Sequence, residues 1–350
     1  MSYTNGLDNP ELYFQTVLYT GDGSTQSITL PGDTNMQPDM VWTKIRNNTF
    51  NHYLFDAVRG ANKYLKPNQT NAEADGSPDH LTAFDSDGFS LGGTAGVNYD
   101  TAPFVSWCWK GGTTSGITTN GSTTITPTAY SFNADAGFAI LKYTGNGTAG
   151  AKVAHGLGKV PKFIITKRQD EGAESWTTYH AGLGNTKFTA LNGGSAAGTA
   201  TNRWNDTDPD SVNFTLGSEG SVNASSQPLM AYCFADVQGY QKCGKYTGNN
   251  NADGVYVHLG FLPAMVIIRA TDTSNWYMWD NKRATYNEMN ASLSPNQNIA
   301  EETSREIDFL SNGFKAREAR GSHNDTGEFL YYAVAEAPFV NSNGVPCNAR

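Results

Sequence analysis

Apolar residues along this chain fall in short runs separated by Gly, Asn, Ser and Asp. Phe104-Val105-Ser106-Trp107-Cys108-Trp109 and Leu229-Met230-Ala231-Tyr232-Cys233-Phe234 are nearly unbroken apolar segments, as in a strand buried on both faces. Met40-Val41-Trp42 and Phe163-Ile164-Ile165-Thr166 are β-branched or aromatic runs behind a proline or its close neighbour. A proline at a strand's start costs no ladder donor. Gly and Asn between the runs supply turn positions that tolerate positive φ. No segment carries a long apolar period of 3.6 residues. The one stretch read as helical is 295–309, where Ile299, Glu301-Glu302 and Ile307 predict one or two turns.

The runs repeat. Tyr19-Thr20-Gly21 recurs as Tyr143-Thr144-Gly145 and Tyr246-Thr247-Gly248. A second block follows each time: Met40-Val41-Trp42-Thr43-Lys44, then Phe163-Ile164-Ile165-Thr166-Lys167, then Met265-Val266-Ile267-Ile268-Arg269. A third is aromatic: His52-Tyr53-Leu54-Phe55-Asp56, Trp176-Thr177-Thr178-Tyr179-His180 and Trp276-Tyr277-Met278-Trp279-Asp280. A fourth runs from Phe89 through Asn98 to Cys108, from Phe214 through Asn223 to Cys233, and from Phe314 through Asn324 to Ala333. Four blocks in one order at matching spacing are the signature of an internal repeat.

The predicted fold class is therefore all-β, with three tandem homologous β-sandwich-like domains. The predicted boundaries are an N-terminal arm at 1–13, repeats at 14–110, 136–236 and 237–340, and a tail at 341–350. The connector at 111–135 is rich in Gly, Thr and Ser. Ile117, Ile125, Tyr130 and Phe132 favour an extended surface segment with edge-strand character over a flexible linker. The join near 236 is so short that the second and third repeats are expected to pack rigidly. Asn9-Pro10 predicts an extended arm, expected to serve in docking or oligomer formation.

Charge narrows the function. With 24 Lys+Arg against 33 Asp+Glu, the formal net charge is −9, and no basic run stands out. A nucleic-acid partner is not expected, because phosphate binding needs a concentrated basic face. No apolar stretch is long enough to span a bilayer. The first residues lack a charged and an apolar signal region, so the mature protein is expected to start here. Cys108, Cys233, Cys243 and Cys347 fit neither a zinc site nor a disulfide framework, and the first two read as reduced core residues.

Candidate chemistry is sparse. Asp206, Asp208 and Asp210 have the spacing of a calcium loop, but Ser211 and Gly217 stand where Gly and Glu are required, so a solvated turn competes with a weak cation site. His155 and His258 lack a second ligand at metal spacing, and Asn98, Asn223 and Asn324 read as turn residues. No nucleophile elbow, phosphate loop or zinc-protease motif occurs, and no cofactor is expected. The aromatic block is the exception. Trp176, Tyr179, Trp276 and Trp279 are candidate sugar-stacking rings, with core or inter-domain packing as the competing reading.

The strings Ala136-Gly137-Phe138 to Tyr143-Thr144-Gly145-Asn146-Gly147, His155-Gly156-Leu157-Gly158 and Asn312-Gly313-Phe314-Lys315 resemble a repeat of tailed-bacteriophage structural proteins, especially those of marine and cyanobacterial phages. The first repeat departs from it, with Leu30-Pro31-Gly32-Asp33 in place of the His-Gly-Leu-Gly loop. The resemblance implies a non-enzymatic virion protein on the particle exterior. A tail fibre or adhesin binding a host cell-surface glycan is the first reading. A capsid decoration protein is the second, and a glycan-hydrolysing tailspike the third. It also implies other virion proteins as partners and a homo-oligomer, with a trimer favoured.

Overall fold

A computed structural model of the chain describes residues 6–347. The fold is all-β and β-sandwich-like. Its helices, among the described residues, are one 3-10 turn at Pro10–Leu12 and three single α-turns at Ala95–Asn98, Thr201–Trp204 and Gly220–Asn223.

Three large antiparallel sheets carry the structure. The first orders its main strands as Phe14–Thr20, Pro103–Trp109, Met40–Ile45 and Tyr53–Asp56. The second orders Phe138–Thr144, Pro228–Ala235, Pro161–Arg168 and Thr177–His180. The third orders Gln241–Thr247, Glu328–Pro338, Phe261–Ala270 and Trp276–Asp280. Register recurs with order. Met40, Phe163 and Met265 lie opposite Asp56, His180 and Asp280, and Val41, Ile164 and Val266 lie opposite Phe55, Tyr179 and Trp279. Each large sheet faces a small one, in which Phe89, Phe214 and Phe314 pair with Ile28, Val153 and Val257. All three phenylalanines are fully buried.

The unbroken apolar runs are strands covered on both faces. Along Pro228–Ala235, Leu229, Ala231 and Cys233 point into the core shared with the small sheet, while Met230, Tyr232 and Phe234 point the other way. That other face meets its counterparts from the first and third sheets in one joint core, where Trp42, Trp107, Trp109, Phe163, Ile165 and Tyr332 converge. A void of only about 20 Å³ remains there, lined among others by Trp42, Trp109, Phe163 and Tyr332. Near-crystalline density of this kind is normal for protein interiors.

The Tyr-Thr-Gly block has a physical cause. Tyr19, Tyr143 and Tyr246 each donate their hydroxyl to a carbonyl just before a buried asparagine, those of Val97, Val222 and His323. Asn98, Asn223 and Asn324 then bridge back. The Asn223 amide donates to Asn146 Oδ1, Thr148 O and Gly217 O, and its Oδ1 accepts from Asn146 N. The Asn98 and Asn324 amides make the matching set to Asp22, Ser24 and Gly92, and to Asn249, Asn251 and Glu318. These asparagines are fully buried staples between two loops, whereas turn residues bonding their own backbone were expected. The glycine lets the loops close. A Cβ on Gly248 would sit 1.9 Å from Asp325 O, and one on Gly145 would sit 2.3 Å from Ala224 O. Gly248→Ala is therefore expected to destabilise the protein by about 1–3 kcal/mol, the usual cost of overpacking. A urea denaturation midpoint unchanged from the natural chain would contradict this.

The helix expected at 295–309 does not form. Leu293 exchanges backbone hydrogen bonds with Met278 at the edge of the third sheet, and the segment then doubles back on itself: Glu302 N donates to Ser292 O, Ile307 N to Met289 O, and Glu301 N to Arg46 O of the first sheet. Part of the 111–135 stretch is paired with the second sheet and its small partner. Ala129–Asn133 adds as an outer strand to Phe138–Thr144, and Ile125 bridges Val153. In the arm, Asn9 is extended but Pro10 opens the 3-10 turn, and residues 1–5 lie outside the described residues. Leu7 is buried in the joint core, and Asp8 accepts the backbone N–H of Ser342, so this part of the arm is bound to its own chain.

Candidate functional site

The aromatic strands line the seams between large sheets. Trp176 is fully buried, and its indole N–H donates to Lys66 O at 3.1 Å and Gln69 O at 3.0 Å, both from the first sheet's side. Trp276 donates to Ala190 O at 2.9 Å, from the second sheet's side, with the Arg269 guanidinium 5.2 Å from its ring. Trp279 is fully buried, donates to Arg305 O and meets His323 edge-on. Tyr179 donates to Asp208 Oδ1 and packs edge-on against Trp204. None of the four offers a face to a sugar, which corrects the stacking reading. Both faces of this strand are occupied, one by its own small-sheet core and the other by the neighbouring sheet.

The seams have their own chemistry, which was not singled out from the sequence. Lys44, Lys167 and Arg269 stand at one register position and are fully buried. Each ends on main-chain carbonyls. Lys44 reaches Ile45 O and Asn48 O, Lys167 reaches Thr70 O, Glu171 O and Glu174 O, and Arg269 reaches Gly193 O, Ser195 O and Ser274 O. Burial pulls the Lys44 ammonium down to about 7, against Glu301, and Lys167 down to about 8. Two residues further on, each strand receives a loop from the preceding sheet. Glu73 N donates to Gln169 O, Ala197 N to Thr271 O and Glu301 N to Arg46 O. The first sheet's loop thus grips the second, the second's grips the third, and the third's grips the first.

Acids close the aromatic strands on the same plan. Asp56 takes Arg59 Nε at 2.5 Å and the hydroxyl of Tyr232 from the second sheet at 2.8 Å. Asp280 takes Arg283 Nε at 2.6 Å and the indole N–H of Trp107 from the first sheet at 3.0 Å. At the third position His180 accepts from Gly182 N through Nδ1, which leaves Nε2 to donate to Tyr331 O of the third sheet at 3.1 Å. The legible signal at two of the three was an aspartate at the end of an apolar run, Asp56 after Tyr53-Leu54-Phe55 and Asp280 after Trp276-Tyr277-Met278-Trp279.

Buried imidazoles make these contacts acid-sensitive. Burial holds His180 at about 4, against a bond to Tyr331 that raises it, and holds His323 at about 4 as well. A folded-state value below the ordinary 6.5 means that the unfolded chain binds more protons at acid pH. Stability is therefore complete above about pH 6.5 and is lost as pH falls towards 4. Each histidine is expected to withdraw roughly 2–3 kcal/mol over that window. His180→Gln should be less stable than the natural chain at pH 7.5 yet show a flatter decline of melting temperature from pH 6.5 to 4.5. Parallel declines would rule out His180 as a contributor.

The other candidates are structural. His155 Nδ1 accepts from Leu157 N and Nε2 meets Asp210 O, while His258 is exposed. Asp210 caps Val212 N and Asn213 N at 2.7 Å. With Asp208 held by Tyr179, the aspartate loop is engaged in local bonds. No group of three or more His, Cys, Asp or Glu is placed to hold a metal among the described residues. Cys108 and Cys233 are free and buried in matching strands, and burial pushes both thiols upward. No helix among the described residues is long and apolar enough to cross a membrane.

A family described as "Domain of unknown function (DUF7483)" matches residues 9–338. The chain belongs to this family. The DUF7483 match runs through all three large sheets and both of their joins, so the interlocked seams lie wholly inside it. No curated protein matches the chain.

Proposed function

We propose that this DUF7483 chain is a non-catalytic structural protein of a tailed-phage particle, displayed on its exterior. In this reading the three sheet pairs are three tandem copies of one domain, closed into a ring within a single chain. The observation that carries it is the cyclic exchange of loops, in which Glu73, Ala197 and Glu301 each bond the next sheet. A ring with no free end resists being peeled apart, as an exterior particle component must. Other virion proteins are the partners implied. The ring already supplies a threefold arrangement, so a trimer of chains is not needed to build one.

Between the exterior roles, burial of Trp176, Tyr179, Trp276 and Trp279 removes the stacking surface on which a glycan adhesin was argued. That favours the decoration or cement role. The adhesin reading keeps one support, an open polar groove between the second and third sheets lined by Ser195, Thr273, Ser274, Asn275 and Tyr277. Antibody labelling of intact particles tests the proposal. Label over the whole shell supports decoration, and label confined to the tail supports a fibre or adhesin. Intact particles that take no label, while disrupted ones do, would overturn an exterior role.

A further inference from the structure

The edge strand Phe14–Thr20 of the first large sheet has no strand on its outer side among the described residues. Gly21 N bonds inward to Ala102, so alternation turns the backbone groups of Thr16 and Leu18 outward. The second sheet fills this position with a strand, and the third covers part of it with a turn. On the second, Ala129–Asn133 pairs with Phe138–Lys142. On the third, Val237 exchanges bonds with Gln241, and Asp236 accepts from Cys243 N.

The empty position is a built slot. Register makes Thr16 the counterpart of Ile140, which faces Ser131 of the added strand, and Leu18 the counterpart of Lys142, which faces Ala129. In the filled slot Ser131 lies against Asp39 and Gly111 of the neighbouring sheet. Their counterparts by register, Ala264 and Glu336, line a groove with Thr16, Pro31 and Asn281 at the seam between the third and first sheets. Two buried polar atoms in that groove, Thr16 Oγ1 and Asn281 Oδ1, have no hydrogen-bond partner. Thr16 is 2% exposed and Asn281 7%. An unpaired buried polar atom costs free energy, and an incoming donor removes that cost.

We propose that the edge Phe14–Thr20 takes an added antiparallel strand from a second polypeptide, in the register that Ala129–Asn133 uses on the second sheet. Recognition is by backbone pairing, the β-augmentation mode, with side chains selecting the partner. The chemistry of the partner follows from the walls. Opposite Thr16 it carries a small hydrogen-bond donor such as Ser, able to reach Asn281 Oδ1. One residue on, opposite Gln15, it carries a small side chain. In the filled slot Phe132 occupies that place against Gly156, where an added Cβ would come within 2.9 Å of the ring, and Pro31 is the counterpart of Gly156. The inference rests on the repeat part of the proposed function and not on a virion location.

The probe is a synthetic peptide of residues 127–134 with Phe132→Ala, titrated into the full chain. Saturable fluorescence anisotropy, with amide shifts centred on Thr16 and Leu18, is the expected result. A peptide N-methylated at the positions of Ala129 and Ser131 should bind about tenfold more weakly, as the loss of two backbone hydrogen bonds implies. Leu18→Pro should weaken the unmodified peptide similarly, since proline is tolerated on an edge strand whose N–H faces outward. If that variant melts early, the N-methyl comparison on the natural chain decides. Absence of saturable binding up to about 1 mM, equal binding of the N-methylated peptide, or shifts elsewhere would overturn the proposal. Particle labelling is indifferent to the peptide result, so the two readings fail separately.

Discussion

Trp176→Ala is expected to destabilise the protein by about 3–5 kcal/mol, and Trp276→Ala by a similar amount. Both indoles are buried at seams, so truncation opens a cavity between two sheets instead of trimming a surface. It also takes the indole donor from Gln69 O, which has no other, and leaves Lys66 O and Ala190 O with one backbone N–H each, from Gln69 and Gly193. A loss of that size is a large part of the 5–15 kcal/mol that holds a typical domain folded. Guanidinium denaturation followed by tryptophan fluorescence measures it. A midpoint within error of the natural chain would mean that these rings face solvent after all. Any adsorption assay on either variant must be read beside this melt, because lost binding with lost folding says nothing about a sugar site.

Much of the fold was legible because the blocks repeat at nearly constant spacing. Met40, Phe163 and Met265, which open the same block in each repeat of the sequence, share one register in the sheets. The unbroken run Leu229 to Phe234 announced a strand with two apolar surroundings. What lay on its second side was not legible, because apolarity reports burial and not the identity of the cover. For the same reason the aromatic strand was ambiguous. Trp276 through Trp279 reads alike whether one face meets a sugar or a neighbouring sheet. Indole N–H groups aimed at carbonyls over a hundred residues away, as in Trp176 to Lys66, leave no local trace.

Spacing also misled in places. The apolar residues at 299 and 307 suggested helical turns, yet Leu293 and Ile307 are drawn into backbone pairing with Met278 and Met289. The extended residues before it and the first sheet's Arg46 offer partners for Glu301, Glu302 and Ile307, and a short amphipathic stretch has little propensity to set against them. The recurrent asparagines were recognised as a pattern but read as local turns. Their bonds span two loops some 75 residues apart, Asn324 to Asn249 for example.

Asp280→Leu is expected to cost about 3–5 kcal/mol, because it strands the buried Arg283 guanidinium with its main partner removed. Arg283 has no exposed side-chain surface. Its remaining bonds, to Met278 O and Glu301 Oε2, keep it in place beside the Trp107 ring, so the charge cannot swing out to water. The indole N–H of Trp107 loses its acceptor in the same step. The double variant Asp280→Leu with Arg283→Met should recover a substantial part of the loss, since an apolar pair of similar volume replaces a buried ion pair at little cost. A double-mutant cycle on denaturation midpoints therefore separates two roles. Strong recovery identifies the pair as a device of register, one that fixes which sheet meets which without adding net stability. A double variant no better than the single would mean that the Trp107 contact across the seam, and not the ion pair, holds the third sheet against the first.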